Sequence, residues 1–551
     1  MISSLALVVL GTMAAAAPCE NLKTLSLPNT TITTSQLVMA GSPFPGGGGR
    51  GGAAAAGRGA APAPDGAGAP DAAPAANAAG RGGRGGGAPA APAITPVNFC
   101  RIVAVLKPSA DSNINVEVWM PEAEKWNGKF QAEGNGGWAG SIQGFAAMQT
   151  AVRAGYATAG TDTGHTVGNG SFTVGHPEQV IDFGYRAIHE MTVQAKALIK
   201  EFYGKSETLS YFVGCSTGGR QALMEAQRYP NDFDGIIAGA PANDHIGLHA
   251  GDMSRQLDIF KDPAGYLNAN KVATLAAAVM NSCDELDGVK DGLISDPRQC
   301  TFKPQTLLCK GEDSDSCLTA AQVRSVERAY APAKTSKGEL IFPGFSYGGE
   351  STYAVLRGNL PARAPAAGAA AAPPAPATPA TLGWDTFRYL AHQDPNWDWH
   401  NFNIDTDPTL AVKNGGANIN ATDPDLSKFK AHGGKLILYH GWADNAIQPE
   451  HTVLYYDSVL DKMGKNQDDW LTLFLVPGMG HCGGGAANSP NSYNTIGALE
   501  AWREKGKAPL PMIGSNTQAG LSRPLCPYPQ VAKYSGSGST SDAANFTCKA
   551  P

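Results

Sequence analysis

Residues 209–226 read LSYFVGCSTGGRQALMEA, and the change of pattern in their middle decides the fold. Leu209–Val213 is an apolar run of strand length, whereas Arg220–Ala226 has helix-forming composition. Between them lies Gly214-Cys215-Ser216-Thr217-Gly218. Small residues on both sides let the chain turn sharply from strand to helix and lift the Ser216 hydroxyl above a sheet edge, where it can serve as a nucleophile. The bare G-x-S-x-G pattern is weak in a chain with 67 glycines, and Gly344-Phe345-Ser346-Tyr347-Gly348 matches it too. Ser346 follows Pro343 and sits among turn residues, without the strand and helix that such an elbow needs. Context selects Ser216.

Working outward, short apolar runs alternate with helical stretches. KFQAEGNGG (129–137) and YATAGTDTGH (156–165) precede the helix-like DFGYRAIHEMTVQAKALIKEFYG (182–204), and DGIIAGAP (234–241) follows the elbow. This is βαβ grammar and predicts an α/β fold with a largely parallel sheet. The pattern breaks at about 242 and resumes with KLILYHGWAD (435–444) and WLTLFLVPGMGHC (470–482). Residues 242–430 therefore read as an inserted lid, and 18–241 with 431–551 as one catalytic α/β-hydrolase domain.

An elbow serine needs a base, and the base needs an orienting carboxylate, in the chain order Ser, acid, His. Asp444 ends one downstream strand, and His481 lies in the turn after another. Loops leaving the ends of parallel strands converge at one edge, so Ser216, Asp444 and His481 form the candidate triad. His440 reads as a structural histidine at a strand terminus. His165 precedes Ser216, the wrong order for a base, and His189, His432 and His451 read as ordinary. A tetrahedral oxyanion needs amide donors, and the Thr217 N–H beside the nucleophile supplies one. The glycine-rich turn after Lys129–Ala132 supplies the other, at Gly137 with Gly136 as second choice.

The balance of 42 Lys+Arg against 48 Asp+Glu argues against nucleic acid as a partner. Residues 2–17, ISSLALVVLGTMAAAA, read as a signal-peptide core ending in small residues near Ala17, which predicts a secreted or periplasmic protein with no membrane association after cleavage. Residues 41–97 are rich in Gly, Ala, Pro and Arg and read as a low-complexity insertion, and 361–381 as an Ala/Pro-rich loop. Ten cysteines fit an oxidising compartment. Nearness in sequence suggests Cys283 with Cys300, Cys309 with Cys317 and Cys526 with Cys548. Cys215 precedes the candidate nucleophile and Cys482 follows the candidate base, so a bridge between them would tie the elbow to the histidine loop; other pairings stay open.

GCSTGGRQ at 214–221, HGWAD at 440–444, GMGHC at 478–482 and ATAGTDTGH at 157–165, with the cysteine layout, resemble the tannase/feruloyl esterase family. That family also includes hydrolases of mono(2-hydroxyethyl) terephthalate. The resemblance implies an α/β hydrolase with a lid, the Cys215–Cys482 bridge, and Cys19–Cys100 beside the three local pairs. It also implies structural Ca2+ in the lid, held by the side chains of Asp284, Asp287 and Asp291 and the carbonyls of Val289 and Leu293. Carboxylates at this spacing with glycine turns between them can wrap a hard cation.

The implied activity is hydrolysis of carboxylic esters of aromatic acids. Thr217, where terephthalate-specialised members resemble one another in having Glu, leans toward hydroxycinnamate or gallate esters. Trp138, Trp397 and Trp399 are candidates to stack on the acyl ring, and Arg388 to meet a substrate carboxylate. The rival readings are a terephthalate monoester hydrolase and a catalytically silent secreted binding protein.

Overall fold

The computed structural model describes residues 17–44, 95, 97–358, 360 and 377–551. The signal segment up to residue 16 and most of the stretches 41–97 and 361–381 lie outside the described residues.

Nine strands form the central sheet: β1 (Thr30–Val38), β2 (Phe99–Leu106), β3 (Ile114–Pro121), β4 (Lys129–Glu133), β5 (Ala157–Thr161), β6 (Leu209–Cys215), β7 (Gly235–Gly239), β8 (Lys435–Gly441) and β9 (Leu471–Val476). Their spatial order is β1-β2-β3-β5-β4-β6-β7-β8-β9. The first four in that order pair antiparallel, and every pairing from β5 to β9 is parallel. All five residues of β7 are buried, as expected for a parallel strand covered on both faces.

The helices that flank the sheet and build the insertion between β7 and β8 are α1 (Phe145–Arg153), α2 (Ala187–Tyr203), α3 (Thr217–Arg228), α4 (His245–Phe260), α5 (Ala269–Cys283), α6 (Ala320–Tyr330), α7 (Pro449–Met463) and α8 (Thr495–Lys505). Strand periodicity divides the core. Ile236 and Leu436 pack on one face with Met191 and Leu198 of α2, Leu223 of α3 and Val453 of α7. Their chain neighbours Ile237 and Ile437 pack on the other with Ala151 of α1 and Leu499 and Trp502 of α8.

Residues between β7 and β8 carry α4 to α6 and bury apolar clusters of their own. Asn268 caps α5 by accepting from Lys271 N at 2.9 Å, and a Thr319/Gln322 capping box starts α6. These residues add no strand to the nine-stranded sheet, so β7 and β8 pair directly although their sequences are far apart.

The ten cysteines form Cys19–Cys100, Cys215–Cys482, Cys283–Cys300, Cys309–Cys317 and Cys526–Cys548, the pairing that the family resemblance implies. Among the described residues, no helix is long and apolar enough to cross a membrane.

Candidate active site

Ser216 stands between the end of β6 and the start of α3 with φ +65° and ψ −123°. A left-handed φ at a non-glycine residue costs about 1–3 kcal/mol and persists only where the surroundings enforce it. Here they do. Ser216 N donates to Gly239 O at 3.0 Å, and Ser216 O accepts from Arg220 N at 3.0 Å. A Cβ on Gly214 would lie 2.3 Å from Gly218 O, and one on Gly219 would lie 2.3 Å from Gly239 O. The glycines are required because strand, turn and helix backbones meet at contact distance. Ser346, the other pattern match, lies in a loop of the β7–β8 insertion, where its carbonyl accepts from the Tyr353 hydroxyl.

Asp444 follows β8 and is fully buried. Its Oδ1 accepts from Ala446 N at 2.8 Å and Ile447 N at 3.0 Å. Its Oδ2 accepts from His481 Nδ1 at 2.8 Å and His440 Nε2 at 3.0 Å. Burial alone would raise the pKa of this carboxyl. The charges of His481 and His440 and the hydrogen bonds from both histidines outweigh burial and hold Asp444 well below the usual carboxylate range. For His481 burial pulls the pKa down, but the charge and hydrogen bond of Asp444 win and raise it above the ordinary 6.5.

Cys215 and Cys482 bring the serine and the histidine loop together, their Cα atoms 5.9 Å apart across a sequence separation of 267. The hydrogen bonds among the described residues do not include one from Ser216 Oγ to His481. Such contacts commonly tighten only when substrate is bound.

The turn after β4 sorts its amides. Asn135 N donates to Gln221 Oε1 at 2.9 Å and Gly136 N to Gln143 Oε1 at 2.8 Å. Among the described residues, Gly137 N and Thr217 N donate to no protein acceptor. Gly136, the second choice from sequence, is thereby committed elsewhere. Gly137 has φ +53°, and its carbonyl accepts from Thr217 Oγ1 at 2.7 Å, so the two residues with free amides are tied directly.

The other candidates fall outside this cluster. Trp138 is 2 % exposed and packs edge-on to Phe172 and His245. Trp397 stacks on His392 and Trp399 on His400, and all three tryptophans belong to one apolar core in which protein already covers these rings. Arg388 bonds Asp385 Oδ1 at 2.8 Å and lies over Trp384 and Tyr389. His165 stacks on Phe172, and burial pushes it down to about 4.

The acidic loop curls on itself. Asp284 Oδ1 accepts from the amides of Asp291, Gly292 and Leu293, Asp287 Oδ1 accepts from Val289 N at 3.1 Å, and Asp291 Oδ2 pairs with Arg523. Burial, with the charges of Asp291 and Asp284, pushes Asp287 up to about 6. The oxygen-only donor set is of the chemistry a hard divalent cation takes, but among the described residues the three carboxylates do not converge on one point and are held by loop amides and Arg523.

Sequence reasoning placed His440 in the structure but missed its bond to Asp444. The signal was the spacing, since a strand-to-turn segment of this length can bring a histidine back onto the carboxylate of a residue four positions later.

Residues 100–549 match the family model described as tannase and feruloyl esterase. An uncharacterized esterase of Xanthomonas campestris is 35% identical, with 98% of this chain and 92% of that protein covered. A probable feruloyl esterase B-2 of Aspergillus terreus is 34% identical over 82% of this chain and 86% of its own. The crystal structure of feruloyl esterase B from Aspergillus oryzae superposes with a TM-score of 0.80 at 28% identity, covering 96% of this chain and 99% of that one. The elbow, the sheet and these likenesses agree: the chain belongs to the tannase and feruloyl esterase family of carboxylic ester hydrolases.

Proposed function

We propose that this protein is an exported serine esterase that hydrolyses esters of phenolic acids, such as hydroxycinnamate or gallate esters, through Ser216, His481 and Asp444. The observation that carries the reading is the strained Ser216, bridged through Cys215–Cys482 to the pair of buried Asp444 and half-buried His481.

In the first step His481 Nε2 takes the Ser216 proton as Oγ bonds to the acyl carbon, and the amides of Thr217 and Gly137 receive the oxyanion. The carbon–oxygen bond to the alcohol breaks, and the alcohol leaves with the proton from His481. Water then gives a proton to His481 and attacks the acyl carbon, which releases the acid and restores Ser216. Asp444 keeps the His481 Nδ1 proton in place and stabilises the transient imidazolium.

Calcium, held by Asp284, Asp287 and Asp291 with the carbonyls of Val289 and Leu293, would brace the lid; its role here is structural. Five disulfides support maturation in an oxidising compartment.

The test is a hydrolysis panel of methyl ferulate, methyl gallate and the terephthalate monoester, with fluorophosphonate labelling of the same samples. We expect wild type to label and to turn over the phenolic esters. Ser216→Ala should lose labelling and lower kcat by about four to six orders of magnitude. Labelling without turnover of any of the three esters rejects the substrate class, and absence of labelling rejects the serine mechanism.

A further inference from the structure

His440 lies fully buried on β8, four residues before Asp444. Its Nε2 is 3.0 Å from Asp444 Oδ2 and 3.1 Å from Ile447 O. Both partners only accept, because Asp444 is held ionised and a carbonyl has no proton to give. The Nε2 proton of His440 is therefore assigned by its neighbours. Nδ1 lies 2.8 Å from Thr452 Oγ1 of α7, a hydroxyl able to donate to a bare nitrogen or to accept from a protonated one. Asp444 Oδ2 thus receives two imidazole N–H groups, from His481 at 2.8 Å and from His440 at 3.0 Å.

We propose that His440 is a positioning residue for ester hydrolysis: its Nε2–H shares Asp444 Oδ2 with His481, fixes the carboxylate and limits how tightly it holds the proton on His481. The proposal rests on reading Ser216, His481 and Asp444 as the triad. A base that binds its proton too firmly returns it poorly to the leaving alcohol, and each donor added to a carboxylate weakens it as a base. A Lys or Arg in this place would cancel the charge that His481 needs. A single imidazole N–H trims the charge and keeps it.

The groups facing this pair are few. His451 of α7 stacks on Phe342 and is pushed down to about 3 by burial, so it stays neutral. Tyr353 is raised well above its usual range by burial. Asp252 of α4 is pushed up to about 6 by burial against the pull of its Arg255 partner, and Glu350, which acts on Tyr353, is pushed up to about 7 by burial. Both are common to wild type and variants, so differences between pH profiles isolate the histidines.

The experiment compares kcat/KM against pH for wild type, His440→Leu and His440→Gln, full-length, on a phenolic ester that wild type hydrolyses. With the second donor gone in His440→Leu, the acid limb should move upward by roughly half a unit to one unit, and kcat should fall about tenfold at unchanged KM. His440→Gln keeps an N–H donor and should restore the limb toward wild type. A limb that stays in place while Tm falls assigns His440 to packing alone, and a limb that moves downward makes it an orienting group without sharing; either overturns the proposal.

If the variants do not fold, 15N-histidine spectra of wild type at neutral pH decide. We expect His440 protonated on Nε2; a bare Nε2 overturns the assignment. Fluorophosphonate labelling of wild type separates the two levels, because failure to label removes the triad and not merely the role of His440.

Discussion

At the scale of single residues, the proposed mechanism makes the Asp444–His481 pair set the working pH. The folded pKa of His481 lies above 6.5 because Asp444 favours the imidazolium, and the base must be neutral to accept the Ser216 proton. Activity should therefore fall as pH drops through a value above 6.5, measurable as the acid limb of kcat/KM. In Asp444→Asn the limb should drop toward or below 6.5, with kcat lower by about four orders of magnitude, as in other triads. An acid limb at the same pH in both proteins would assign the titration to another group. The shift acts on stability with the opposite sign: the His481 contribution is complete below its unfolded value and is lost as pH rises through the folded one. Asp444, depressed in the fold, contributes above its unfolded value and loses that contribution as pH falls further.

At the scale of elements, the site is an agreement between the β6–α3 elbow and the loop after β9. Each is anchored to its own strand, and Cys215–Cys482 joins them next to the reacting residues. Replacing both cysteines by alanine removes a link that closes a very long loop, with an expected cost of about 2–5 kcal/mol in chemical denaturation. The more telling readout is kinetic. Below the unfolding transition kcat should fall by at least tenfold, because a displacement of about 1 Å at a reacting atom can cost a hundredfold. A double variant that unfolds earlier but keeps wild-type kcat would show that the strands alone align Ser216 and His481. The elbow glycines were legible in sequence as a motif, yet their reason was not. Gly214 and Gly219 are required by backbones 2.3 Å from where a Cβ would sit, and those backbones belong to α3 and β7.

At the scale of the whole molecule, the insertion between β7 and β8 carries its own cores and the acidic loop between Cys283 and Cys300. With Asp287 raised to about 6, the loop binds protons more readily folded than unfolded, so without a cation its contribution to stability declines as pH rises through that value. Calcium should reverse this. At about a hundred times its Kd it should add about 2.7 kcal/mol, seen as a rise in Tm on going from chelator to calcium. The rise should be larger at pH 8 than at pH 5 and absent in Asp287→Asn. A Tm indifferent to calcium at pH 8 would remove the ion from this loop.

Local pattern carried much of this molecule: apolar runs of strand length, the elbow glycines, and the order Ser216, Asp444, His481 are properties of near neighbours or of chain order, which a sequence states directly. The cysteine pairing was legible by resemblance, because the whole layout recurs in a family. What only the tertiary structure decided concerns atoms distant in sequence or folded back by a turn. Gln143 takes the Gly136 amide and leaves that of Gly137 free, and His440 turns onto Asp444. Trp397 and Trp399, attractive as stacking surfaces when read along the chain, are packed into an apolar core of the β7–β8 insertion, because burying large rings stabilises a segment that must hold itself together. Sequence names the residue types that chemistry requires; the fold alone chooses which hydrogen-bonding positions remain unpaired to perform it.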